Sequence, residues 1–144
     1  VVVSDGMAVQ DAEGNYYPWD SPYEGKSVHP RSAGTRAKVL RMVREEKIMP
    51  LMEAISKMSY EPAAFLEDQV PQMKQRGRLQ EGMVADVTIF DPETVTDNST
   101  PKVGENSLPS TGIPYVIVNG QVVVDDSVVQ NIPAGVAIRN ASVM

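Results

Sequence analysis

The chain has no cysteine and a single histidine, His29, among its 144 residues. Without thiols there is neither a disulfide framework nor a thiol nucleophile, a composition that a reducing compartment permits. With one imidazole and no cysteine, HxH and CxxC spacings are impossible, so the chain does not build a transition-metal site by itself. Carboxylates alone would make a hard-cation site at best, and EF-hand spacing is missing. Basic residues are scarce as well: 13 Lys plus Arg stand against 19 Asp plus Glu, a net charge of -6. That balance argues against a nucleic-acid partner or an anionic membrane surface. No apolar run approaches the ~20 residues of a membrane span. Neither GxGxxG nor GxxxxGK occurs, which removes the glycine-rich phosphate loops.

What is present suits one globular domain or a large piece of one: 42% apolar residues, with 11 prolines and 10 glycines that interrupt the elements. The chain opens Val1-Val2-Val3-Ser4-Asp5-Gly6. Three β-branched residues predict a short strand buried on both faces. It opens in mid-strand, with no initiator methionine and no partner strand before it, and so is read as the start of a C-terminal fragment. An Asp at the C-terminal tip of a buried strand is where barrel and open α/β enzymes place chemistry. Ser-Asp-Gly is equally ordinary turn composition, and both readings stand at this point.

Residues 7–28 read as a long loop around Tyr16, Tyr17, Trp19 and Tyr23. Such a loop is either a lid or binding loop or is pinned down by its aromatics as a small satellite core. His29-Pro30-Arg31 still belongs to the loop in this reading. A helical pattern follows from Gly34, with Ala37, Val39, Leu40 and Val43 on one side and Lys38, Arg41, Arg44, Glu45 and Glu46 largely on the other. Pro50 opens a second helix carrying Leu51, Ala54, Ile55 and Met58, and a third short piece starts near Pro62. A strand is predicted over 84–90, and 94–110 reads as a polar surface excursion. Asn119-Gly120, flanked by Tyr115-Val116-Ile117-Val118 and Gln121-Val122-Val123-Val124, is the type I′ hairpin signal. Both arms are apolar on both faces and call for cover from other structure. A last short strand is predicted at 136–138. Helices segregated from a terminal β block suggest two architectural units.

Ser4, His29 and Asp5 can be written down as a triad, but adjacent residues of an extended segment point in opposite directions, so Ser4 and Asp5 do not readily face one imidazole. There remain Asp5 as a general base or metal-facing carboxylate, Arg31 as an anion clamp with a fixed bidentate fork, and His29 as a loop-positioning or ligand-bonding group. The plainer reading of Arg31, a loop-bracing arginine, stands beside these.

In order along the chain, Ser4-Asp5-Gly6, His29-Pro30-Arg31 with Gly34, Val39-Leu40 and Val43-Arg44-Glu45 are followed by Glu53-Ala54-Ile55 with Lys57-Met58 and by Pro62-Ala63. Gly77-Arg78-Leu79, Gly82 with Ala85-Asp86, Phe90-Asp91-Pro92, Gly112-Ile113 and Val118-Asn119-Gly120 complete the set. Together they resemble the C-terminal third of the amidohydrolase superfamily, in its D-aminoacylase (N-acyl-D-amino-acid deacylase) branch. The resemblance implies an α/β fragment. Residues 1–76 would be the C-terminal end of a (β/α)8 barrel (its last strand, active-site loop and helices), and 77–144 part of a β-sandwich whose other strands lie in the missing N-terminal part of the protein. It implies hydrolysis of an N-acyl-D-amino acid to a carboxylate and a D-amino acid. Zinc would be the cofactor, its His and Cys ligands lying on earlier strands. Asp5 matches the family's proton-transferring aspartate, which is also a possible metal ligand, and Arg31, with His29 beside it, matches a substrate-holding arginine. The fragment alone is expected to be inactive. The 7–28 loop is longer and more aromatic than the family's usual connection, and Thr35-Arg36 stands where a phenylalanine is common, so substrate identity is open. Two rival readings are another amidohydrolase, acting on cyclic amides or dipeptides, and a non-catalytic β-rich interaction module.

Overall fold

The computed structural model describes residues 1–11, 13–23, 26 and 28–139. Its elements run α1 (Arg31–Glu46), α2 (Leu51–Met58), α3 (Tyr60–Leu66), a 3-10 turn (Pro71–Gln75), β1 (Val87–Ile89), β2 (Tyr115–Val118), β3 (Gln121–Asp125) and β4 (Val128–Val129). They fall into two compact units: one of residues 1–2, 49–90 and 113–144, the other of 3–48 and 91–112. The described residues thus form an α/β fragment, and no helix among them is long and apolar enough to cross a membrane.

In the second unit α1 turns Gly34, Ala37, Leu40 and Val43 inward at a three-residue spacing. The helix starts at Arg31, three residues before the pattern predicted, because Pro30 sits at the N-cap with φ already helical at -51°. Gly34 permits a close approach: a Cβ there would lie 2.4 Å from Ser99 Oγ and 3.2 Å from Asp97 Cβ. The 94–110 stretch is not the surface excursion expected from its polarity. Val95 is fully buried, and Ser99, Asn106 and Ser107 are buried polar residues. The reason is side-chain bonding to α1. Arg44 Nη1 donates to the Val95 carbonyl at 2.7 Å, Arg41 Nε to Asp97 Oδ1 at 2.6 Å, and Ser99 Oγ to the Pro30 carbonyl at 3.0 Å.

In the first unit the sheet is an antiparallel meander in the order β1-β2-β3-β4. Asn119 (φ 50°) and Gly120 (φ 78°) both adopt the left-handed conformation that a type I′ turn requires. A second tight turn at Asp126 and Ser127, also with positive φ, adds β4. The expected strand at 136–138 does not form, because β4 takes the place beside β3 and 136–138 has no ladder partner among the described residues. Nor is 1–3 a buried strand. Val1 and Val3 are 62% and 68% exposed, and no strand among the described residues pairs with them; Val2 N–H donates instead to the Lys57 carbonyl at 2.8 Å. The hairpin arms are half-open, with Tyr115 and Val122 both exposed.

Candidate functional site

Asp5, His29 and Arg31 come together at the start of α1. Arg31 Nε donates to the Asp5 carbonyl at 2.8 Å, and Arg31 Nη2 lies 3.3 Å from Asp5 Oδ2. The contact is open to solvent: the side chains of Arg31 and Asp5 are 40% and 85% exposed. Exposed pairs of this kind contribute about 0–1 kcal/mol, so the pairing is not explained by stability. Asp5 also holds a φ of 45°, outside the regions L-residues favour. Arg31 Nη1 makes no hydrogen bond among the described residues and keeps its donors available. His29 Nδ1 accepts the Arg31 backbone N–H at 3.2 Å, which satisfies an amide at the helix start. Ser4 Oγ accepts the Gly6 N–H at 3.3 Å. No hydrogen bond joins Ser4, His29 and Asp5 among the described residues, so the triad arrangement is not assembled.

The first turn of α1 also borders a cleft of about 570 Å³ that includes His29, Arg31, Lys38, Asp97 and Asn106. The Asn106 Oδ1 is buried there without a partner among the described residues. On the other side of Ser32 lies a cleft of about 370 Å³ built from the 7–28 loop. Its rings are not a satellite core, since Tyr16 and Trp19 are 70% and 53% exposed. Lys26 Nζ stands 4.6 Å from the centre of the Tyr17 ring and 5.9 Å from that of Tyr23. Two residues that sequence reasoning passed over hold this arrangement. Ser32 Oγ accepts the Met7 N–H at 3.1 Å, and Ser107 Oγ donates to the Tyr23 carbonyl at 2.6 Å. Local sequence carries no signal for Ser107, which acts across more than eighty residues.

Among the described residues no group of three or more His, Cys, Asp or Glu is placed to hold a metal ion. The single imidazole already spends Nδ1 on the Arg31 amide.

Residues 18–124 match the model of the amidohydrolase family. The N-acyl-D-glutamate deacylase of Alcaligenes xylosoxydans xylosoxydans is 38% identical over 116 residues, which is 80% of this chain and 22% of that protein. A structure of D-aminoacylase, solved to define the role of its binuclear metal centre, superposes with a TM-score of 0.67 at 35% identity, covering 75% of this chain and 22% of the other. The N-acyl-D-glutamate deacylase of Bordetella bronchiseptica, complexed with zinc and a phosphonate mimic of the tetrahedral intermediate, gives a TM-score of 0.60 at 42% identity. That match covers 67% of this chain and 19% of the other. The chain spans about a fifth of the length of the curated relatives it matches.

Proposed function

Because the chain belongs to the amidohydrolase family, we propose that it supplies part of the active site of a zinc-dependent enzyme that hydrolyses N-acyl-D-amino acids to a carboxylate and a free D-amino acid. In that enzyme 1–76 forms the C-terminal end of a (β/α)8 barrel and 77–144 a share of a β-sandwich. The order of elements supports this division: among the described residues, the three α-helices lie between residues 31 and 66 and every strand between 87 and 129. The relatives carry the substrate class. The donor set of this chain does not fit a zinc centre on its own, so the ligands belong to the rest of the enzyme. Asp5 is the residue of this chain that could lend it a carboxylate.

The observation that carries the reading is the exposed pairing of Asp5 with Arg31 at the first turn of α1. Asp5 is the base that takes a proton from the attacking water and returns it to the leaving amine. Arg31 steadies the Asp5 backbone through Nε and offers its remaining donors to the substrate carboxylate as a fork. His29 is a positioning residue in this scheme, since its imidazole fixes the Arg31 amide.

The test is Asp5→Asn in the full-length enzyme. Removal of a positioned general base lowers kcat by about 10² to 10⁴, here with zinc content unchanged. A variant that still deacylates at the wild-type rate removes Asp5 from proton transfer, and loss of zinc makes it a ligand. Hydantoins and dipeptides assayed in parallel separate this reading from the related cyclic-amide and dipeptide hydrolases.

A further inference from the structure

The cleft of about 370 Å³ in the 7–28 loop is not used by the reaction scheme above. Its lining includes Met7, two residues after Asp5, and Ser32, next to Arg31, and the Met7 N–H donates to Ser32 Oγ at 3.1 Å. Its lining thus adjoins Asp5 and Arg31 along the chain. Its walls are apolar and aromatic, and among the described residues its one ionisable group besides the tyrosines is Lys26. No carboxylate lines it among the described residues. The ammonium is held in place. It lies over the Tyr17 ring at 4.6 Å and, farther off at 5.9 Å, over that of Tyr23, and Nζ donates to the Ser21 carbonyl at 3.3 Å. The backbone beneath it is pinned by Ser107, only 5% exposed, whose Oγ donates to the Tyr23 carbonyl and lies 3.4 Å from that of Lys26.

A cleft with aromatic walls and one fixed cation is complementary to a short apolar stem ending in an anion. We propose that this cleft is the side-chain subsite, and that Lys26 selects N-acyl-D-amino acids whose side chain carries a carboxylate. The methylene stem lies against Tyr17 and Trp19, and the carboxylate meets the Lys26 ammonium. The inference rests on the deacylase reading and assigns it a substrate class.

The experiment compares N-acetyl-D-glutamate with N-acetyl-D-glutamine, which have the same shape and differ in charge, in the full-length enzyme and its Lys26→Met and Lys26→Arg variants. The wild type is expected to prefer glutamate. Lys26→Met is expected to cut the glutamate-to-glutamine ratio of kcat/KM about tenfold, mostly through KM, and Lys26→Arg to restore much of it. An unchanged ratio, or an equal fall on both substrates, overturns the assignment while leaving the deacylase reading intact. No hydrolysis of either substrate by an enzyme that opens other amides overturns both.

Discussion

Glycine at position 112 answers two separate constraints. Its φ is 79°, and a Cβ there would lie 2.6 Å from both the Cα and the N of Val95. Backbone atoms cannot swing aside as a side-chain tip does. Gly120 has nearly the same dihedral, φ 78°, with nothing near the position of a Cβ. The two sites separate conformational strain from collision. Gly120→Ala is expected to cost about 1 kcal/mol, the left-handed penalty alone. Gly112→Ala adds overpacking and is expected to cost about 2–4 kcal/mol. Urea midpoints of the two variants, compared at equal m-value, check the difference.

At the scale of elements, the β2–β3 turn is fastened from behind as well as along its ladder. Asp86 Oδ1 accepts the Asn119 N–H at 2.7 Å, its other oxygen accepts from Arg76 Nη1, and the Gly120 N–H donates to the Ala85 carbonyl at 2.9 Å. Arg76 Nε is already buried without a partner among the described residues. Asp86→Ala therefore leaves a mostly buried guanidinium uncompensated, and it is expected to destabilise by about 1–3 kcal/mol. It should also speed hydrogen exchange at the Asn119 amide, which NMR measures directly. The turn itself was legible because Asn-Gly states its own backbone geometry. Asp126-Ser127 makes the same kind of turn without that signature, so β4 was missed and a strand was expected at 136–138 instead. Arg41 and Arg44 read as the solvent face of α1 because their acceptors, Asp97 and the Val95 carbonyl, are more than fifty residues away. The same distance hid the burial of Val95, Ser99, Asn106 and Ser107. At the site, Asp5, His29 and Arg31 stood out through their motif. Lys26 did not, because its surroundings depend on Ser107.

For the whole molecule, acid acts on a set of carboxylates gathered in one unit. Asp11, Glu45, Asp91 and Glu105 all titrate below the ordinary carboxylate range, and all four belong to the unit of 3–48 and 91–112. The causes are local. Asn15 donates to Asp11, Arg44 and then Arg41 to Glu45, the Glu93 amide and the Thr94 hydroxyl to Asp91, and Lys102 and Thr100 to Glu105. Depressed folded values mean that the unfolded chain binds protons first. The stabilisation is complete above about pH 5 and is lost as the pH falls through 4 and below. Urea midpoints are expected to be flat from neutral to about pH 5 and to drop below it, more gently in high salt for the exposed ion pairs. One further property follows from how the chain is divided. Neither unit is a contiguous stretch, since each is completed by residues that lie beyond a segment of the other. During synthesis α1 emerges with its apolar face bare and waits until residues 91–112 have left the ribosome before Val95 and Asp97 can meet it. The chain therefore passes through a period of exposure fixed by its own topology, and a holdase chaperone acting in that interval would meet the bare face of α1.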